Sequence, residues 1–277
     1  MNNTGDELFM FMTPARYAGL DWSGDMEDYR YYGFGLTLFF TPLFRLIDDP
    51  VILYRIMVSV MVLLQSLIAP VCFYITKRFF HVKEEIFACL LSVICSYFVT
   101  LRAVYIYNEC MFILLCWITV LLLLLLNEKV NEKKTKRVLT FVLMVILIYA
   151  MTIHSRAIVL WISLGVVTVF YLWTYRKWLI SPAVVVIVGG AGYFLSRKAI
   201  DHMAAAVGMT EAGADIANTS VSFSISAIFD SLKSLTGWAY IVLGQINTIA
   251  VMVGGIALFA AIVGTILIWN ALVKRKE

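Results

Sequence analysis

Long apolar stretches separated by short polar connections dominate the pattern of this chain. Seven of them are candidate membrane spans: 51–76, 86–101, 110–126, 138–153, 157–174, 178–195 and 249–272. A helix rises 1.5 Å per residue, so about 20 apolar residues cross a hydrocarbon layer of about 30 Å. Three of the seven are shorter, at roughly 16–17 residues, and are expected to extend by a turn into the interface or to thin the bilayer locally. Leu121 to Leu126 is an unbroken leucine run. Val184–Gly192 is rich in Val and Gly, which in water would favour a strand. Among lipid spans it predicts a helix with a close-packed glycine face.

Two further stretches are apolar without the form of a span. The string YYGFGLTLFFTPLFRL is broken by Gly33, Gly35 and Pro42, which predicts an interfacial or re-entrant segment. Leu8–Ala18 is a helical stretch behind a pair of acids. In the longest polar connection, Ala199–Val207 and Ser224–Leu235 have the spacing of short amphipathic helices, and Gly208–Ser222 between them is small and polar. The expected fold is all-α: a polytopic transmembrane helix bundle of about seven spans with amphipathic helices on its outer face. Four regions follow: an outer loop over 1–50, a six-span core over 51–195, an outer loop over 196–248, and a last span with a basic tail over 249–277.

Composition sharpens this reading. The 277 residues are 62% hydrophobic and 14% charged, with a mean hydropathy of +0.88. A soluble domain is usually about half apolar and about a quarter charged. The net charge of +4 says less than its distribution. Thirteen of the 22 Lys and Arg residues fall in four short connections: Lys77, Arg78 and Lys83; Lys129, Lys133, Lys134, Lys136 and Arg137; Arg176 and Lys177; and Lys274, Arg275 and Lys276. These alternate with connections over 1–50, 102–109, 154–156 and 196–248, which together carry only eight. Basic connections stay in the cytoplasm, so the amino terminus is expected outside and the carboxyl terminus inside the cell membrane.

Cysteine and histidine provide no framework. Cys72, Cys89, Cys95, Cys110 and Cys116 lie in or beside apolar runs without CxxC spacing, as buried spectator thiols do, and His81, His154 and His202 are scattered. No metal or other cofactor is implied, and no nucleic-acid partner is expected. Asn2-Asn3-Thr4 and Asn218-Thr219-Ser220 match glycosylation sequons, a pattern common by chance. The residues that could carry chemistry stand in the connections assigned to the outer side. Asp6 and Glu7 precede an apolar helical stretch, Asn108 and Glu109 open the third span, and His154, Ser155 and Arg156 form a short turn between two spans. Ionisable groups at membrane depth are costly, and tend to be paired, to face a cavity or to serve function.

Each of these residues also has a plainer reading. Asp6 and Glu7 could be first-turn acids that favour a helix dipole. Glu109 could mark the membrane boundary. Arg156, Arg102 and Arg55 could snorkel, Arg55 alternatively being paired. Tyr31, Tyr32, Trp22, Trp161 and Trp238 fit an aromatic interface belt as well as a sugar platform. Asp25, Glu27 and Asp28 read as a solvated loop, and Trp173, Tyr175, Arg176, Lys177 and Trp178 as an inner-face anchor.

The order of these motifs is familiar. An Asp-Glu pair opens an outer loop with a helical segment (DELFMFMTPARYAGLDW), followed by a Tyr/Gly-rich stretch that runs into an apolar Pro-Leu-Phe element. Then come an Asn-Glu at the head of a Leu-rich span (YNECMFILL) and an Arg in a short outer turn (HSRAIVLW). In this order the chain resembles the GT-C superfamily of membrane glycosyltransferases, of the protein O-mannosyltransferase and aminoarabinose-transferase type, over about residues 5–175. The resemblance implies transfer of a sugar from a polyprenyl-phosphate donor to an acceptor hydroxyl at the outer leaflet, usually with inversion. The matching position makes Asp6 the base on the acceptor, with Glu7 its neighbour in the motif and Glu109 the second acid that shapes the site.

A phosphate leaving group calls for a fixed cation, and guanidinium makes paired hydrogen bonds to phosphate oxygens. Arg156 is the first candidate for the donor phosphate, Arg102 the second, with His154 beside them. The broken segment before Ile47 would border the prenyl groove. The acceptor, whether lipid, glycan or protein, is unspecified. Two other functions fit the same pattern: a transporter or flippase of lipid-linked substrates, and a non-catalytic membrane subunit. The family pattern places a transmembrane helix just before Asp6. Residues 1–10 have neither a basic start nor a long apolar run, so that helix is expected to have been lost by truncation or a late start codon. The genomic sequence immediately upstream of Met1 should then encode an in-frame apolar stretch of about 20 residues; a polar or out-of-frame sequence there would contradict the expected topology.

Overall fold

The computed structural model of the chain describes residues 4–20, 35–100, 106, 108–154 and 157–206. Every regular element among the described residues is a helix, with no strand among them. The helices are α1 (Thr4–Tyr17), α2 (Gly35–Leu46), α3 (Pro50–Ser66), α4 (Ile68–Phe79), α5 (Glu85–Thr100), α6 (Asn108–Glu128), α7 (Lys133–Ile153), α8 (Ile158–Tyr175), α9 (Pro182–Val184) and α10 (Gly190–Ala206), with a π-helical turn, Val185–Gly189, between the last two. The chain divides into two compact units: residues 1–67 with 102–221, and residues 68–101 with 222–277.

Four helical stretches are long and apolar enough to cross a membrane: Pro50–Phe79, Asn108–Glu128, Lys133–Ile153 and Ile158–Tyr175. They match the expected spans 51–76, 110–126, 138–153 and 157–174, and they support a membrane protein. Two other expected spans, 86–101 and 178–195, coincide with shorter apolar helices, Glu85–Ser96 and Pro182–Ser196. The span expected over 249–272 and the helix expected over Ser224–Leu235 lie outside the described residues. The helix expected over Ala199–Val207 is the end of α10, which runs without a break from Gly190 to Ala206.

In the first unit α7 is the common support, in contact with α2, α6, α8, α9, the π turn and α10. Its sequence explains why. Thr140, Leu143, Met144, Leu147, Ala150 and Ile153 are buried and recur at three- and four-residue intervals, which puts them on one face of the helix. Two glycines let other helices approach α7 closely. A Cβ on Gly35 of α2 would collide with the side chains of Thr152 and Ile153, and a Cβ on Gly192 of α10 with Ile148. The Tyr149 hydroxyl donates to the Gly35 carbonyl at 3.2 Å, a bond that the close approach permits. The expected glycine contact is therefore present at Gly192, whereas Gly190 faces open space.

α7 joins two apolar cores. One contains Ala150 and Ile153 with residues of α1, α2, α3 and the start of α6. The other contains Leu143, Met144 and Leu147 with Leu122 and Leu126 of α6, Leu164 of α8, and Leu179 and Ile180 of the connection after α8. The outer faces stay apolar. On α8, Val166, Phe170 and Trp173 are 64%, 67% and 76% exposed, as suits a helix surrounded by lipid and not water.

α3 starts at a cap that the sequence spells out: Asp49 accepts hydrogen bonds from the backbone N–H groups of Val51 and Ile52, and Pro50 holds the first helical position. In the second unit α4 and α5 form a hairpin. The Lys77 ammonium closes its turn by donating to the Lys83 carbonyl at 3.2 Å, and lies 3.9 Å from the Glu85 carboxylate. His81 sits in this turn at φ 53°, in the left-handed region. Of the cysteines, Cys72 and Cys110 are buried, but Cys89 is exposed on α5.

Because Gly35 and Gly192 leave no room for a side chain, Gly35→Val and Gly192→Val should each destabilise the folded state by about 1–3 kcal/mol through overpacking. Gly190→Val, where there is open space, should cost less than either. Unfolding in detergent followed by helical circular dichroism measures all three, and equal stability among them would remove the close approach as the cause.

Candidate functional site

Of the residues singled out from the sequence, Glu109 and His154 lie among those the structure describes with their side chains. Asp6 and Glu7 lie in the first turn of α1, with side chains outside the described residues. α1 is held by aromatic contacts. The Phe11 ring stacks on Tyr54 of α3 at 5.7 Å and meets Phe44 of α2 edge-on at 6.1 Å. Met12 and Ala15 are fully buried. Pro14 lies within the helix, and the helix continues through it to Tyr17.

Glu109 is in the first turn of α6 and is half-buried, beside the buried Asn108 and Cys110. His154 ends α7. Its backbone is extended, its N–H donates to the Ala150 carbonyl at 3.0 Å, and its carbonyl accepts from the Ala157 N–H at 3.0 Å. The half-buried imidazole packs against Phe112 of α6 at 5.4 Å between ring centroids. Phe112 follows Glu109 by three residues and so lies on the same side of α6. The start of α6, which carries Glu109, thus meets the end of α7, which carries His154. Arg102 and Arg156 lie outside the described residues.

One apolar core binds the surroundings of these residues together. It includes Met10 of α1, Ile106, Cys110 and Met111 at the head of α6, Ile153 at the end of α7, and Ala157. Leu36, Phe40 and Phe44 of α2 and Leu53 and Met57 of α3 complete it. Among the described residues, no group of three or more His, Cys, Asp or Glu side chains gathers to hold a metal ion.

Beside this core, α1 and α2 enclose an open groove of about 370 Å³ lined by Tyr17, Leu38, Thr41, Pro42, Arg45 and Leu46. Its walls are almost entirely apolar, and Leu38 and Leu46 remain exposed. Arg45 is the cation of the groove: one terminal nitrogen donates to the Tyr17 carbonyl at 3.3 Å, which ties the end of α2 to the end of α1. Sequence reasoning passed over Arg45, because a single Arg at the end of an apolar string resembles any interfacial anchor. The usable signal was its helical spacing from Leu38, Thr41 and Pro42.

No protein-family model, curated protein or solved structure matches this chain significantly.

The position of α1, and with it Asp6, depends on Phe11. Phe11→Ala removes two ring contacts worth about 0.5–1.5 kcal/mol each as well as apolar packing, and should lower stability by about 2–3 kcal/mol. Limited proteolysis should then cut first within 4–17. Unchanged protection of that stretch would show that α1 is held by other means.

Proposed function

We propose that this chain is a membrane glycosyltransferase that moves a sugar from a polyprenyl-phosphate donor to an acceptor hydroxyl at the outer surface of the cell membrane. One observation carries the reading. A single apolar core gathers chain neighbours of the residues the motif order points to: Met10 one turn after Asp6 and Glu7, Cys110 next to Glu109, and Ile153 and Ala157 on either side of His154 and Arg156. The groove between α1 and α2 supports the same reading, since its apolar walls suit a prenyl chain and its cation suits a phosphate.

In the proposed reaction Asp6 takes the proton of the acceptor hydroxyl as the oxygen attacks the anomeric carbon from the face opposite the phosphate. The bond between the anomeric carbon and the phosphate oxygen breaks, and polyprenyl phosphate leaves with the bonding pair. Arg156 or Arg102 binds the charge that develops on it, as a fixed guanidinium can do without reorganising. Glu109 and His154 shape the acceptor side, and Glu7 supports Asp6. Arg45 holds the donor at the mouth of the groove. The basic connections set the amino terminus outside and the carboxyl terminus in the cytoplasm.

The transporter reading is less well supported. Midplane ionisable groups mark many transport pathways. In α6 and α7, however, Asp, Glu, Lys and Arg stand only in the end turns, and α8 contains none. A non-catalytic subunit is distinguished by experiment. The full chain in native membranes, supplied with a panel of polyprenyl-phosphate sugars, should release polyprenyl phosphate. Asp6→Asn should lower kcat by about 10²–10⁴-fold, the usual contribution of a positioned base, while Glu109→Gln and Arg45→Gln give smaller losses. Turnover of Asp6→Asn equal to that of the parent would remove Asp6 as the base. Absence of turnover with every donor would favour the subunit.

A further inference from the structure

The opposite end of the first unit is also built from distant parts of the chain, and the proposed reaction makes no use of it. The α6–α7 connection and the α8–α9 connection are docked on one another. The Lys177 ammonium donates to the Asn131 side-chain oxygen at 3.1 Å, across 46 positions of sequence. The Lys136 ammonium donates to the Trp178 carbonyl at 3.4 Å. The Thr140 hydroxyl accepts from the Ser181 N–H at 3.1 Å and donates to the Lys136 carbonyl at 2.7 Å. Beneath these bonds Leu179 and Ile180 are buried in the second core.

Docking concentrates charge. Lys129, Lys133, Lys134, Lys136, Arg137, Arg176 and Lys177 meet two carboxylates, Glu128 and Glu132. Glu132 is already committed, accepting from Lys129 at 2.8 Å and from Thr135 at 2.9 Å. The Lys129 bond, then the Thr135 bond, hold its carboxyl below the usual range. Lys133, Lys134, Arg137 and Arg176 are exposed. α7 gains nothing from Lys133 and Lys134, since cations in its first turn oppose its dipole. Arg176 caps α8 at φ 53°, in a left-handed conformation that costs a non-glycine residue stability. Around these cations Trp173, Tyr175 and Trp178 are exposed, the residue types that settle at the headgroup level of a bilayer.

We propose that this docked pair of connections is a binding site for an anionic phospholipid, with the headgroup phosphate held by Lys133, Lys134, Arg137 and Arg176 and the acyl chains lying along α8 beside Trp173. Charge complementarity selects the occupant: four exposed cations, two carboxylates in the two connections, of which Glu132 is held by Lys129 and Thr135, and an apolar helix face that leads away from them. A soluble anion would use the cations and leave the aromatic rim and the α8 face unused.

The test uses the full chain purified in neutral detergent, titrated with phosphatidylglycerol or phosphatidylcholine and read by native mass spectrometry of retained lipid. Phosphatidylglycerol should bind at least about tenfold tighter than phosphatidylcholine, and Lys133→Ala with Arg176→Ala should remove about tenfold of that preference. Lys198→Ala, a cation elsewhere on α10, should leave it unchanged. Asn131→Ala keeps every charge but undocks Lys177, and should weaken phosphatidylglycerol several-fold. Undiminished binding by Asn131→Ala would reduce the site to diffuse surface attraction and overturn it. Equal affinity for the two lipids would overturn it as well. So would displacement of the lipid by glycerol phosphate at equal concentration, which would make the ligand a soluble phosphate.

Discussion

Close contact with α7 is the constraint on which the described part of the first unit depends. Lipid does not drive apolar helices together as water does, so helices in a bilayer associate through van der Waals packing and hydrogen bonds between near surfaces. Gly35 and Gly192 provide such surfaces, bringing α2 and α10 against Thr152, Ile153 and Ile148. The apolar stripe from Thr140 to Ile153 does the rest. Because α2 is seated through Gly35 and the Tyr149 hydroxyl, the groove between α1 and α2 is fixed to the same helix that ends at His154.

The sequence made the long helices legible because hydrophobic run length is a direct consequence of bilayer thickness. Residues 110–126 and 157–174 differ from α6 and α8 by one or two residues at each end. α7 begins five residues before the expected 138, because Lys133, Lys134, Lys136 and Arg137 are good helix formers that hydropathy excludes from a span. The region after α8 was the hardest to read. Residues 178–180 are apolar and read as part of a span, but Leu179 and Ile180 instead fold back into the core, and the helix starts at Pro182. That rearrangement depends on the bond from Ser181 to Thr140, a pairing across 41 positions that no local pattern announces. The π-helical turn was equally invisible, since Val185–Gly189 has an ordinary helical composition.

The candidate site was legible in its residue types but not in its surroundings. Glu109 and His154 stood out as polar groups at the edges of apolar runs. The contact between His154 and Phe112 did not, because Phe112 is one aromatic residue among many in an apolar helix. Arg45 was hidden for the converse reason: its meaning comes from the Tyr17 carbonyl it holds and the groove it closes, neither of which is local in sequence.

The two ends of α7 differ in a way that fits the chemistry proposed for each. A group that acts on a neutral hydroxyl and a phosphate leaving group needs both a base and a cation, so acids and cations must be kept within reach without neutralising one another. That calls for an apolar frame, and the core that includes Met10, Cys110, Ile153 and Ala157 would provide one for the proposed site. A surface that rests on anionic headgroups needs cations alone, and at the other end seven cations face two acids, one of them tied into the α6–α7 connection by Lys129 and Thr135. α7 passes through both environments. Fixing its basic end at the headgroups would restrain tilt of the helix against the bilayer, and with it the position of His154 at the other end of α7.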